Sequence, residues 1–258
     1  MGNCMKSSTD IKAAGGNSAT TPASGASNSS EPIEFGYWGI KGFGEVTRWV
    51  IQYLGLKVKE WNPASKEDWG KSQIGRGEFP NLPYIKDGGF YLSETYAVHS
   101  YLAIKVGKPD LLGKNLADKA LVRTIEGVTS DVKAGFFKTF PSPDKKEALR
   151  KSLASDGELG KKLDQISKFL GSKDYFLGYL TVADIEFAYI ATFLEVYAVS
   201  LELESPLKDN IKKHVHNIRQ LPGIKERIAS SKDLPFMPPG GFPVKLLTSG
   251  QLDEKLKQ

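Results

Sequence analysis

From residue 33 onward the chain switches between two hydrophobic rhythms. Residues 33–37 (IEFGY) alternate apolar and polar positions, the period-two pattern of a half-buried strand. A glycine-rich loop, 39–44, interrupts it, and 45–54 resumes with Val46, Trp49, Val50 and Tyr53 on one helical side. Residues 56–61 suit a second strand, and 66–74 a short, irregular helix. The stretch 79–101 then reads as loop, strand, turn, strand, helix. Leu82-Pro83 favours extended backbone before the proline, Tyr84 and Ile85 open a strand, and Asp87-Gly88-Gly89 is a hairpin turn. Phe90-Tyr91-Leu92 returns as its partner. Ser93-Glu94-Thr95 offers capping groups to a helix carrying Val98, Tyr101 and Leu102 on one stripe. The order β-α-β-α-β-β-α predicts a right-handed crossover unit with an antiparallel edge.

Beyond that point no alternation remains. Residues 107–116 are turn-rich and read as a linker, and 117–258 as an all-helical domain with an extended tail. Helices are expected over 117–139 and 145–170, the second interrupted by Gly157 and Gly160. Thr181 and Asp184 form a capping-box variant opening a helix to about residue 198 that is apolar nearly all round, hence central and buried. Pro206 and Pro222 are expected to start two more helices.

Composition narrows the function. The 258 residues suffice for two modest domains, 33–106 and 117–258. Thirty-five basic and 30 acidic residues are scattered, with no basic block interleaved with aromatics, which argues against nucleic-acid binding. No apolar run approaches the ~18 residues that span a bilayer. The single cysteine, Cys4, leaves no internal disulfide and no Cys-x-x-Cys, and three scattered histidines give no metal spacing. Residues 1–32, rich in Ser, Gly, Ala, Thr and Asn, cannot bury enough surface to offset ordering and are expected to be a disordered tail. Its start, Met1-Gly2-Asn3-Cys4, suits acylation at Gly2 and Cys4, although Lys6 stands where the lipidation pattern wants Ser or Thr. Two chains would give stable attachment to a membrane surface where one would not.

The GYW at 36–38 and the FPNLPY at 79–84, followed by the hairpin and helix, resemble the cytosolic glutathione transferases, most of all the mu class, over nearly the whole chain after residue 32. The resemblance implies a thioredoxin-like α/β domain, an all-α domain, a homodimer, a cytoplasmic location and glutathione as co-substrate, with no metal. It implies that Tyr37, beside Trp38, donates a hydrogen bond to the glutathione sulfur. A free thiol near pKa 8.5 is only a few per cent ionised at neutral pH, and the thiolate is the nucleophile.

The rest of the implied site follows the tripeptide. Pro83, cis in the family, turns the backbone of Leu82 toward the peptide, with Asn81 beside it, for strand-like pairing. Glu94 and Thr95, where mu members carry Gln-Ser, would hold the γ-glutamyl end at a helix start. Trp69 and Lys71 are candidates for the glycyl carboxylate, with Lys66 where the family has Arg. Asp131 would reach the partner's glutathione. Phe79 would insert into the neighbouring subunit. Phe43, Phe140 and Phe236 are candidate walls of the electrophile pocket. The same scaffold also supports a glutathione-dependent isomerase of the prostaglandin-synthase kind, or a noncatalytic ligand-binding module.

Overall fold

The computed structural model describes residues 32–73, 76–238 and 246–255; Gly2, Cys4 and the expected acylated tail lie outside them. The chain folds as β1 (Ile33–Gly36), α1 (Gly44–Tyr53), β2 (Val58–Trp61), α2 (Lys66–Ser72), β3 (Tyr84–Asp87), β4 (Phe90–Ser93) and α3 (Thr95–Lys105). A 3-10 turn at Pro109–Leu112 leads to α4 (Leu116–Phe137), α5 (Lys145–Leu153), α6 (Glu158–Leu170), α7 (Val182–Ser200), α8 (Asp209–Arg219), α9 (Ile224–Ser230) and α10 (Ser249–Lys255). The expected α/β unit followed by a helical domain is what forms.

The sheet order is β2-β1-β3-β4, with β1 parallel to β2 and the other neighbours antiparallel. Strand β2 begins at Val58 rather than residue 56, because Gly55 (φ +68°) and Leu56 still close α1. Their N–H groups donate to Gln52 O at 3.0 Å and Ile51 O at 3.1 Å. In α8 and α9 the expected proline starts give way to other signals. Pro206 precedes α8 by an extended step, with Lys208 at its N-cap. Gly223, at φ +83°, caps α9, and its N–H donates to the Glu226 carboxylate at 2.6 Å. A Cβ at Gly223 would lie 2.3 Å from Gln52 O, so this glycine also sets how closely α9 approaches α1.

Helix α7 is the axis of the second domain. Every residue from Val182 to Val199 is buried, as the all-round apolar pattern predicts, with α1, α4 and α8 packed around it. Its start is fixed by Asp184, which accepts from Thr181 N at 2.8 Å, Thr181 Oγ1 at 2.7 Å and Phe176 N at 2.8 Å. Replacing Asp184 with Ala leaves three buried donors without a partner. Asp184→Ala is therefore expected to destabilise the fold by about 3 kcal/mol or more. Urea unfolding reads this as a lower midpoint with an unchanged m-value.

Candidate active site

Tyr37 follows β1 directly, and its N–H continues the sheet by donating to Trp61 O at 3.1 Å. Its ring turns under the loop to α1, where Phe43 N–H donates to the hydroxyl at 2.8 Å. No described residue accepts the phenolic proton. Gly42 and Gly44 make this possible: a Cβ at Gly42 would lie 2.4 Å from the hydroxyl oxygen, and one at Gly44 2.2 Å from the ring. These glycines, which read as loop flexibility in the sequence, are there for close approach. Burial raises the Tyr37 pKa, against the N–H groups of Phe43 and Gly44 and the charge of Arg48.

Both domains hold this loop. Arg48 donates to Ile40 O at 2.8 Å and Trp38 O at 3.1 Å, and is anchored by Glu60. From the helical domain, the Tyr189 hydroxyl donates to Gly42 O. Lys41 Nζ reaches back to Ser231 O at 2.6 Å and Leu234 O at 3.0 Å. Burial lowers Lys41 to about 8, with Glu45 opposing. Phe236 is 1% exposed and stacks on Tyr189 while its carbonyl accepts Gly42 N–H at 2.9 Å. It braces the loop from within the core and does not line an open pocket.

The Leu82–Pro83 bond is cis, as the resemblance implies. The Leu82 N–H, however, already donates to the Asn81 side chain at 2.9 Å, so a paired peptide would have to displace that contact. Glu94 holds φ +69° at the N-cap of α3 and makes no side-chain cap; its carboxylate accepts from Asn81 Nδ2 at 3.1 Å instead. Ser93 is diverted too, its hydroxyl donating to Phe79 O at 2.6 Å. The capping expected of 93–95 is therefore absent, and the Glu94 side chain is turned toward the loop.

Trp69 joins an aromatic floor with Trp61 and Tyr84, roofed by Arg76, whose guanidinium lies 4.2 Å from the Tyr84 ring centre. Lys71 pairs with Glu67 at 2.8 Å on the solvent face of α2, away from that floor. Arg76 is the cation beside Trp69, and no motif marked it. Trp38 is partly buried, and Asp131 is largely exposed, paired with Lys162 at 3.0 Å. Phe140 packs on Phe136, Phe137 and Tyr197.

A cavity of about 100 Å³ lies between the domains, lined by Phe43 and Val46, by Glu94, Thr95 and Tyr96, and by Thr129, Ser130, Lys133, Glu186 and Ile190. Of the candidates from the sequence, it gathers Phe43, Glu94 and Thr95. Behind it sits a buried group that sequence reasoning missed. Glu186 Oε1 lies 2.5 Å from His99 Nδ1, and His99 Nε2 lies 3.0 Å from Thr47 Oγ1. Glu126 accepts from Arg123 at 2.6 Å. Burial lowers His99 to about 3, so the ring is neutral, and raises Glu126 to about 8, helped by Glu186. A glutamate inside the apolar run of α7 was the visible signal. No group of three metal-binding side chains is present among the described residues.

Comparison with known proteins agrees with this architecture. Residues 33–104 match the glutathione S-transferase N-terminal domain, and residues 130–231 the glutathione S-transferase C-terminal domain. A class-mu 26 kDa glutathione S-transferase of Fasciola hepatica is 31% identical over 205 residues, covering 78% of this chain and 90% of that protein. Glutathione S-transferase alpha-2 of Rattus norvegicus is 28% identical, covering 86% and 95%. The solved structure of rat hPGDS complexed with a quinoline matches with a TM-score of 0.63 at 22% identity, covering 78% of this chain and 97% of that one, a likeness of fold. With both domain models matched in order, and a relative above 30% identity aligned over nine-tenths of its length, the chain belongs to the glutathione S-transferase family.

Proposed function

We propose that this protein conjugates the glutathione thiolate to hydrophobic electrophiles, with Tyr37 as the group that keeps the sulfur charged. The observation that carries this is the state of the Tyr37 hydroxyl. Phe43 N–H donates to it, and its own proton has no acceptor among the described residues, so it is free to donate to a sulfur. The cis Leu82–Pro83 step and the start of α3 at Glu94 and Thr95 are the features on which peptide and γ-glutamyl recognition would rest. A hydrogen bond to a charged acceptor is worth roughly 1.5–3 kcal/mol, which lowers a thiol by about one to two pKa units. Because a few per cent of thiolate can rise only to all of it, this gain is capped near twentyfold. Positioning of the electrophile supplies the rest.

Tyr37→Phe is expected to lower kcat/KM at neutral pH by roughly tenfold and move the acid limb of its pH profile up by about one to two units. Retention on a glutathione resin should persist. Binding without turnover in the wild type would instead favour a noncatalytic module.

The proposal includes a two-fold dimer. Phe79 is 79% exposed, an apolar side chain held out on a loop. Between α4 and α6 lies an apolar groove of about 280 Å³ lined by Leu121, Ile125, Val128, Phe169, Phe176 and Phe187. A second copy's Phe79 is the occupant that would cover both surfaces at once. Phe79→Ser is expected to shift gel-filtration elution from dimer toward monomer while leaving the circular dichroism spectrum intact.

No helix among the described residues is long and apolar enough to cross a membrane. Tethering to the cytoplasmic face would rest on acyl chains at Gly2 and Cys4, the two-chain arrangement that makes attachment stable. Intact-mass analysis of protein from its native host reads this directly: the expected result is loss of Met1 with a gain of two acyl chains, and an unmodified chain rejects the tether.

A further inference from the structure

Among the described residues lining the inter-domain cavity, Lys133 alone carries a positive charge. It is half-buried on α4, and its ammonium rests over the Phe43 ring at 4.8 Å, with no hydrogen bond or ion pair to another described residue. An ammonium drawn partly out of water normally meets an anion or a carbonyl. The helix decides which way this one points. Asp131 and Lys133 are two residues apart on α4, and such neighbours do not share a face. Asp131 is largely exposed and pairs with Lys162 of α6 at 3.0 Å. Lys133 turns instead to the cavity, where Glu94 and Thr95 stand at the start of α3.

We propose that Lys133 binds the α-carboxylate at the γ-glutamyl end of glutathione, beside the ammonium that Glu94 receives. The inference rests on the transferase reading above and names a recognition residue for its co-substrate. That end of the tripeptide is a zwitterion, with a carboxylate and an ammonium on the same carbon. The cavity matches it charge for charge, Lys133 against the carboxylate and Glu94 against the ammonium. At about 100 Å³ it takes a head group of a few heavy atoms and not the whole tripeptide. The opening N–H groups of α3 receive no side-chain cap, because Glu94 is turned to Asn81, and they add donors for the same carboxylate. Both charged side chains come from one chain, whereas Asp131, which the family resemblance sends to the partner's glutathione, lies on another side of α4.

The state of the lysine before the co-substrate arrives supports this use. Burial lowers Lys133 below the ordinary lysine range, opposed by Glu186 and Glu94. Glu186 is itself pushed well above the usual carboxylate range by burial, so at neutral pH it is protonated and Glu94 is the countercharge left. A carboxylate reaching the ammonium replaces contact with a ring face by a charge-assisted hydrogen bond, roughly twice as strong as a neutral one. The γ-glutamyl end does not react. Its contacts are the same in the bound ground state and in the transition state, so their loss appears in KM and not in kcat. Lys133 thus sets which thiol is accepted, and Tyr37 how that thiol ionises.

The test follows conjugation of 1-chloro-2,4-dinitrobenzene with three thiols. They are glutathione, 4-aminobutanoyl-cysteinyl-glycine, which lacks the α-carboxylate, and glutaryl-cysteinyl-glycine, which keeps a carboxylate there and lacks the ammonium. Lys133→Met is expected to raise the glutathione KM by about tenfold, with the loss in kcat/KM carried by KM. The glutaryl thiol should lose kcat/KM by the same factor. The aminobutanoyl thiol should be unaffected, because it has no carboxylate for the lysine to hold. Lys133→Arg keeps the charge and should recover most of the loss. Where an analogue turns over too slowly, its inhibition constant against glutathione reads the same contrast. Should Lys133→Met fail to fold, Lys133→Gln carries the comparison. Equal losses on all three thiols, or no loss on glutathione in a folded variant, overturn the proposal and leave the transferase reading intact. A wild type that conjugates none of the three overturns that reading, and this proposal with it.

Discussion

The buried carboxylate of Glu45 is the constraint on which the arrangement of the two domains depends. It is fully buried at the start of α1 and accepts from Arg227 Nε at 2.8 Å and Nη2 at 2.7 Å, from Arg48 at 3.3 Å and from the Ser231 hydroxyl at 3.3 Å. A buried charge is tolerated only when its remaining valences are filled, and here they are filled from both sides of the domain boundary. Arg48 then spends its other donors on Trp38 O, Ile40 O and Glu60. One carboxylate thereby ties α9 to α1, and α1 to the loop that covers Tyr37. An isolated thioredoxin-like domain would leave Glu45 without Arg227 and the loop without Lys41's anchors, so this loop is built by the whole chain.

The same logic explains why the phenol is held as it is. A tyrosine at a strand end could swing to several rotamers, and each would place its hydroxyl differently. Glycines at 42 and 44 let backbone lie directly on the ring, and Tyr189 and Phe236 press that backbone down from the helical domain. Orientation of the Tyr37 hydroxyl is set by packing contributed from about 150 residues farther along the sequence. Preorganisation of this kind costs nothing at the moment of reaction, which is why a single donor can be effective.

What the sequence made legible follows the local rules. Alternation at 33–37, the Asp87-Gly88-Gly89 turn and the all-round apolar run of α7 each specify an element through near neighbours, and each forms. The cis Leu82–Pro83 step came through the family resemblance and is present. The failures are tertiary. Ser93 and Glu94 were expected to cap α3, yet the Ser93 hydroxyl donates to Phe79 O and the Glu94 carboxylate accepts from Asn81, so neither side chain caps the helix. Lys71 is turned to solvent by α2, where it pairs with Glu67, and Arg76 takes the place over the aromatic floor. Phe236 looked like a pocket wall because a tail aromatic near two prolines has no local partner; Tyr189 and Phe193 supply the partners from another helix.

The least legible group is also the one hardest to explain as scaffold. Glu126, Glu186 and His99 are each at most 2% exposed, in a region where α3, α4 and α7 meet. A carboxyl there has to be desolvated, and the nearby imidazole, held neutral by burial, offers a hydrogen bond and no countercharge. Arg123 contacts Glu126 directly at 2.6 Å and reaches Glu186 only through its field, together with Lys133. Apolar side chains of similar volume would fill the same space more stably, as they do at the flanking Ile185 and Phe187. Stability therefore does not account for Glu186, a carboxyl sealed between three helices with one oxygen left without a hydrogen-bond partner.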